Sequence, residues 1–407
     1  MFLIYVIMTK VIIVGAGPTG ATLALLLVKQ GISVKLIEAS RGFRRQFRGE
    51  ALMPSGLDAL QQMELLDLLA DIPHKTLDGW EFLLNGRSLF RVNEPIEAGG
   101  KPCTLVSQLH LLAKLIQVAS TYPEFEFIAG EPVRELILDK NQRVTGVKLS
   151  GGQEINSTIT IAADGRNSRI RQRAGLNLKQ QPNSIDILWF KLEAGSLLES
   201  ENIFYSILQD RYGFGLFRGS EEQLQIGWGL HQDDRFNWQE IDWIEMLRAN
   251  SPPWLVKHLK TYGHTLGKPM LLSVVVGLCD RWSSSGLLLL GDAVHPMSPI
   301  RAQGINMALR DVIVAANHLV PLLKDETDYK AIDTVLPLIQ QEREPEIIRI
   351  QHLQNEEIAQ AQKLRNSGFI RWAASTFTPM IRPFIRASWL KRQQQLRQGV
   401  TKVKLTV

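Results

Sequence analysis

The hydrophobic pattern changes period along this chain, and each change marks a predicted element. Near the start a continuous apolar run, residues 10–14 (KVIIV), meets the glycine-rich GAGPTG of residues 15–20. ATLALLLVKQG then reads as an apolar helix stopped by Gly31, and VKLI, residues 34–37, as a second strand ending at Glu38. Two apolar runs joined by a helix make a β-α-β unit, which requires a parallel strand pair and a crossover. Leu57, Leu60, Met63, Leu65 and Leu66 put one apolar stripe on a helix over residues 55–70, with Ser55 as its N-cap. Residues 80–102 read as strands and loops, and 108–120 as a further helix. Short strands follow near 125–128, 133–138, 144–149 and 155–161, the last leading into Asp164 and Gly165.

Between residues 183 and 229 the segments ILWFKLEA, IFYSIL, FGLFRG and LQIGWGL are short, aromatic and β-branched, as in an antiparallel sheet. WQEIDWIEMLRAN and WLVKHLK are helix-like. The chain then returns to a buried strand, LLLLGD at residues 287–292, and a helix over 304–323. Beyond Pro337 the pattern is helical, interrupted by Pro345, Pro379 and Pro383. This order predicts a nucleotide-binding domain (residues 1–75, 101–180 and 270–340) interrupted by a second domain (76–100 and 181–269), with a helical segment at 341–407.

With 45% apolar and 21% charged residues the chain has the balance of a folded globular protein. Its two cysteines, Cys103 and Cys279, exclude a disulfide framework and a Cys-rich metal site. The opening MFLIYVIM is broken by Thr9 and Lys10, too short to span a bilayer, and lacks the positive region of a signal sequence. It reads as a ragged upstream start with Met8 as an alternative initiator, and a cytoplasmic protein is expected. Ten of the 46 basic residues lie after Glu357, where no acidic residue occurs. The first 357 residues therefore carry 36 basic against 41 acidic side chains, a net −5, so the overall +5 belongs to the tail. One basic segment is not a basic fold, and nucleic-acid binding is not expected.

GAGPTG carries the first chemistry. Gly15 permits the tight turn, Gly17 lets the backbone approach a pyrophosphate, and Gly20 allows close packing of helix on sheet, with Pro18 and Thr19 between them. The helix N-terminus offers N–H groups and partial positive charge to phosphates. Glu38, at the end of the second strand, is placed to accept ribose hydroxyls, which implies an unphosphorylated ribose, hence FAD or NAD. The unit alone does not choose between them. No HExxH, cysteine pair or GxSxG is present, so zinc-enzyme and hydrolase readings have no support, and no metal is expected.

DGRNSRIR at residues 164–171 and LLLLGDAVHPMSPIRAQGINMALRD at 287–311 decide the matter. With GAGPTG they resemble, in order and spacing over about residues 8–345, the GxGxxG, DG and GD motifs of the class A flavoprotein aromatic monooxygenases, of the para-hydroxybenzoate hydroxylase fold. The resemblance implies an α/β fold. It implies a Rossmann-like FAD-binding domain, a parallel sheet in a three-layer ββα architecture, interrupted by a mainly antiparallel β substrate domain and followed by C-terminal helices. It implies FAD as cofactor, contacted by Arg48, Gln108, Asp164, Gly165, Gly291, Asp292, Pro299 and the helix start at Gly304, Ile305 and Asn306, and NADH or NADPH as transient reductant. The implied chemistry is addition of dioxygen to reduced flavin and transfer of one oxygen atom from the hydroperoxide to an aromatic or other lipophilic ring. No protein nucleophile is needed, so no catalytic side chain is assigned. One departure stands out. The family's PPxxGQG is here SPIRAQG, with Ser298 for a proline and Ala302 for the first glycine. A positive φ there would strain alanine.

His295 is read as a structural histidine in preference to a flavin-edge group. Trp189, Trp228, Phe204, Tyr205, Tyr212 and Phe214 suit either sheet packing or an apolar ring pocket. The tail interleaves Trp372, Phe377, Met380, Ile381, Phe384, Ile385, Trp389 and Leu390 with arginines. That pattern fits a helix packed on the body with a wet basic face, or peripheral contact with an anionic membrane. Two other functions stay open: a flavin-dependent reductase of an isoprenoid or quinone-type substrate, and a flavin-binding protein without catalysis.

Overall fold

The computed structural model describes residues 9–42, 50–182, 185–230, 238–324 and 328–407. Arg48 and the start at Met1 or Met8 lie outside the described residues. The helices are α1 (Pro18–Lys29), α2 (Pro54–Gln62), α3 (Gln108–Ala119), α4 (Arg169–Arg173), α5 (Trp243–Ala249), α6 (Pro253–Tyr262), α7 (Gln303–Lys324), α8 (Tyr329–Asn366), α9 (Gly368–Thr376) and α10 (Thr378–Gln398).

The first apolar runs pair as their continuity demands, because strands covered on both faces need no polar alternation. A sheet orders Ser283–Ser284, Leu287–Leu289, Ile159–Ala162, Val11–Val14, Val34–Glu38 and Phe125–Ala129. All neighbours are parallel except the first two. Val11, Ile13, Leu36 and Ile161 pack on the helical layer with residues of α1, α3 and α7. Ile12, Val14, Ile37 and Ala162 face the opposite way, onto Val133, Val144, Val147 and Ile155 of an antiparallel three-stranded sheet. These are the three layers ββα.

A seven-stranded sheet orders Met270–Leu272, Asp186–Glu193, Gln223–Leu230, Tyr212–Arg218, Ile203–Gln209, Gly79–Leu84 and Arg87–Asn93. Only Ile203–Gln209 and Gly79–Leu84 are parallel within it. Period two divides its aromatic residues between two destinations. Phe214 and Trp228 stack at 5.5 Å in the core under α5 and α6, with Tyr205 and Tyr212 packed against it. Trp189 and Phe204 lie on the other face with Trp80, Phe82 and Phe217, toward Met53, Leu105 and Trp389.

Three local expectations are corrected. The helix expected over 55–70 ends at Gln62: Glu64 adopts φ 58° and a 3-10 turn, Leu66–Asp71, continues the stripe. Ser55 is not its cap, because Met53 holds that position and Pro54 opens the first turn. Pro379 does mark a boundary, in the first turn of α10 after α9 ends, but Pro345 and Pro383 do not interrupt the C-terminal helices. α8 runs through Pro337 and Pro345, and α10 through Pro383. Each proline removes one helical hydrogen bond, but packing holds both sides: Ile339, Ile347 and Ile350 of α8 are fully buried. Finally, the basic tail is only partly wet. Arg397 is buried between Glu94 and Glu97, Arg392 pairs with Glu357, and Arg382 donates to the Ser88 and Leu89 carbonyls. No helix among the described residues is long and apolar enough to cross a membrane.

Candidate flavin site

The three motifs meet at glycines. Gly15, the residue after strand Val11–Val14, has φ 102°, and a Cβ on it would lie 2.4 Å from the Ala163 carbonyl oxygen and 2.8 Å from Asp164 Cα. A Cβ on Gly20 would lie 1.9 Å from the Gly15 oxygen, and one on Gly291 2.2 Å from Thr19 Oγ1. The glycine turn therefore touches the DG segment on one side and the GD segment on the other, with no room for side chains at either seam. Gly17 is the N-cap of α1, followed by Pro18 in the first turn, and no side chain caps the helix. Glu38, buried at its strand end, accepts the Ala16 N–H at 2.9 Å through Oε2 and the Ser40 hydroxyl at 2.8 Å through Oε1. It braces the turn with one oxygen of the carboxylate expected to meet a ribose.

Asp164 Oδ2 accepts the N–H groups of Arg169 and Ile170 at 2.8 and 3.1 Å, starting α4, while Oδ1 is buried without a partner. Burial pushes this carboxyl above the usual range, against the opposing hydrogen bonds. Gly165 follows with φ 83°. Asp292 lies in the 3-10 turn Gly291–Ala293, and its Oδ1 is 3.7 Å from where a Cβ on Gly304 would sit, at the start of α7. Its carboxylate has no hydrogen-bond partner among the described residues, and neither has the side chain of Gln108, the first residue of α3.

The turn before α7 explains the altered glycine motif. It begins at Pro299, and Arg301 and Ala302 have φ 59° and 50°. The family's glycine position thus does require the left-handed region, and this chain fills it and its neighbour with residues that resist it. Ala302→Gly is expected to raise stability by up to about 1 kcal/mol. Relief of left-handed strain, roughly 1–2 kcal/mol, exceeds glycine's added unfolded entropy of about 0.5–1 kcal/mol. The urea midpoint checks this; an unchanged or lower midpoint means the alanine is not strained.

The side chains at the start of α7 are engaged within the protein, while the N–H groups expected to face an anion belong to its backbone. Asn306 accepts the Met53 N–H at 2.9 Å and donates to the Ala51 and Ala302 carbonyls at 3.2 and 2.7 Å, so its side chain ties the turn to strand Ala51–Leu52. A Cβ on Gly56 would lie 2.1 Å from Asn306 Oδ1, which explains a glycine inside α2. Ile305 packs into the helical-layer core. His295 is structural: it is buried, with Nε2 2.6 Å from Asp311 Oδ2.

Three features were not anticipated. Arg301 pairs with Glu357 at 2.8 Å and sets its guanidinium 5.3–5.4 Å from the ring centres of Trp80, Phe82 and Trp389. Only the place of Arg301 beside the motif hinted at this. Beneath the GD turn, Asp311 accepts the Gly291 N–H at 3.2 Å and Arg343 at 2.8 Å; Arg343 also pairs with Glu346, which pairs with Arg310 at 2.9 Å. Burial raises the Asp311 and Glu346 carboxyls, but the arginines, with His295 at Asp311, outweigh it; Glu346 is held down to about 2. Third, the aromatic face holds a buried amide. Gln225 is fully buried, accepts the Trp189 indole N–H at 2.6 Å, and leaves Nε2 without a partner. Nearby, Glu50 accepts the Ser220 N–H and hydroxyl at 3.3 Å, and burial pushes its carboxyl upward.

The arrangement fits FAD. Its glycine turn excludes side chains where a pyrophosphate would approach, two helix starts converge on it, and an unpartnered carboxylate stands between them. The family described as FAD binding domain matches residues 8–345. The 6-methylpretetramide 4-monooxygenase of Streptomyces rimosus is 32% identical over 315 residues, covering 75% of this chain and 74% of that protein. A ubiquinone hydroxylase of Rhodospirillum rubrum is 27% identical over 337 residues, covering 76% and 72%. Among solved structures, p-nitrophenol 4-monooxygenase of Pseudomonas putida shares the fold with a TM-score of 0.78 at 17% identity, over 97% of this chain and 99% of that one. The chain therefore belongs to the FAD binding domain family and is an FAD-dependent monooxygenase of the para-hydroxybenzoate hydroxylase-like class A group.

Proposed function

We propose that this enzyme hydroxylates an apolar aromatic or other lipophilic ring compound, consuming dioxygen and NADH or NADPH. One observation carries the reading: the turn that precedes α7 places Arg301 directly against an aromatic wall of the seven-stranded sheet. Flavin contacts and an apolar ring surface thereby adjoin. When bound, FAD would supply the redox chemistry, hydride acceptance from the reductant and activation of dioxygen, with one oxygen atom going to the substrate and the other leaving as water.

The chain's own residues bind and orient. Gly15, Gly17, Pro18, Thr19 and Gly20 would hold the pyrophosphate, and Glu38 the ribose. Asp164, Gly165, Gly291 and Asp292, with Pro299 and the backbone at Gly304, would surround the middle and ring end. Gln108 contributes from α3. On the aromatic face, Gly227 and Gly215 give way to neighbouring rings: a Cβ on Gly227 would lie 2.7 Å from Trp189, and one on Gly215 2.9 Å from Phe204. Flat rings over glycines suit a planar substrate and keep water away from the reacting atoms. The names of the polycyclic and quinone-modifying relatives support the same substrate class.

Purified protein supplied with FAD, NADH or NADPH, isotopically labelled dioxygen and phenolic, quinone and polycyclic candidates tests this. Product bearing the label is expected. A reduced, unlabelled product would favour the isoprenoid or quinone reductase, and no reductant consumption with any candidate would favour a flavin-binding protein without catalysis. Asp292→Ala is expected to weaken FAD binding by about 10- to 100-fold, the worth of a hydrogen bond to a charged group, roughly 1.5–3 kcal/mol. Fluorescence titration measures it, and unchanged affinity removes Asp292 from the site.

A further inference from the structure

We infer that the outer face of α9 and α10 docks on an anionic phospholipid bilayer, independently of what the flavin site oxidises. α10 has two faces. Trp389, Ile385 and Leu390 pack inward on the aromatic cluster, and Arg382 is bonded to the edge strand Arg87–Asn93. Met380 and Phe384, one helical turn apart, point away from that packing and are 73% and 77% exposed. α9 has no buried residue at all. Its Phe369 and Trp372 rings lie 5.9 Å apart and are 74% and 57% exposed; Trp372 in turn meets Phe377 at 6.2 Å. Five large apolar side chains thus form one exposed strip, where isolated exposed residues would need no explanation.

Charge chooses the partner. No acidic residue occurs in the chain after Glu357, and the exposed Lys363, Arg386 and Lys391 have no ion-pair partner among the described residues. A protein partner's apolar patch would leave these cations unmatched. A bilayer with anionic headgroups meets both requirements together: rings and methionine enter the interface while lysine and arginine stay at the phosphates. Between α10 and the edge strand lies a cleft of about 500 Å³ lined by Arg91 and Arg386 among Val92, Ile96 and Leu390. Arg91 is already held by Glu201, which leaves Arg386 as the cation there free to meet a lipid phosphate. Because the inner face of the same helix closes the aromatic cluster, docking would set that cluster beside the source of a lipophilic substrate.

The test is co-sedimentation of the full-length, FAD-loaded protein with two kinds of vesicle, one pure phosphatidylcholine and the other equal parts phosphatidylcholine and phosphatidylglycerol. Binding is expected to the mixed vesicles and to fall at least tenfold without phosphatidylglycerol or at high salt, where screening removes the attraction. Phe384→Glu and Trp372→Glu should each release the protein, with bound flavin and circular dichroism unchanged. Arg386→Glu should weaken binding more than Arg386→Lys. Equal binding to both vesicles, or none to either, overturns the inference. So does a concentration-dependent dimer in sedimentation velocity that Phe384→Glu dissociates, since a second copy would then cover this face.

Discussion

Arg343→Met is expected to destabilise the folded protein by about 3–5 kcal/mol, because it strips a fully buried cation from two buried carboxylates. Asp311 would keep His295 and the Gly291 N–H, and Glu346 would keep Arg310, but each loses the charge that offsets its burial. Chemical denaturation measures the loss; less than about 1 kcal/mol would mean that water or rearrangement replaces the guanidinium. The same cluster sets an acid limit. Glu346 falls from an ordinary 4.5 to about 2 on folding, so its contribution is fully present above about pH 4.5 and is lost as pH falls toward 2. At 1.36 kcal/mol per unit, that contribution is roughly 3 kcal/mol. Glu346→Gln should flatten the stability profile across this window, and a profile as steep as the parent's would assign acid lability elsewhere. Since Asp311 also holds Gly291, flavin affinity should fall together with stability in Arg343→Met.

Gly15→Val is expected to yield protein that retains no flavin. The new Cβ would meet backbone, the Ala163 carbonyl and Asp164 Cα, and backbone at the seam of two strands cannot swing aside as a side chain tip can. A β-branched residue at φ 102° is also an outlier. The turn must therefore shift at the place where the phosphates would lie. Gly31→Ala provides the contrast: Gly31 has φ 75° but nothing within 4 Å of an added Cβ, so it carries backbone strain alone and should purify with flavin bound. Absorption spectra of the two variants separate the cases, and a fully yellow Gly15→Val protein would refute the assigned role.

The parts readable from sequence were those in which local pattern and chemistry coincide. A buried strand, a glycine turn and an apolar helix fix the geometry at Gly15 to Gly20 without distant help, and Glu38 follows from the strand's length. Ala302 could be read as a strained substitution because the demand for positive φ comes from the turn itself. What escaped depends on partners far along the chain. Asn306 meets Met53, Arg301 meets Trp80 and Glu357, and Arg343 meets Asp311. Nothing in the neighbourhood of an arginine tells which carboxylate will meet it. The prolines of α8 misled for the same reason: their local penalty is real, and packing by Ile339, Ile347 and Ile350 overrides it. Gln108 remains placed only by its helix start, and Arg48 lies outside the described residues.

The parallel sheet is assembled from distant pieces. Strand Leu287–Leu289 aligns with Ile159–Ala162, and the whole seven-stranded sheet except Gly79–Leu84 and Arg87–Asn93 is encoded between them. A ribosome therefore delivers the first six helices before it delivers Leu287–Leu289 and the Asp292 that follows it. Until then the apolar edge of Ile159–Ala162 has no neighbour on that side, a template for wrong pairing in a nascent chain. Such long-range closure makes for slow maturation. Yield during expression should depend on temperature and chaperone supply well before it depends on added riboflavin.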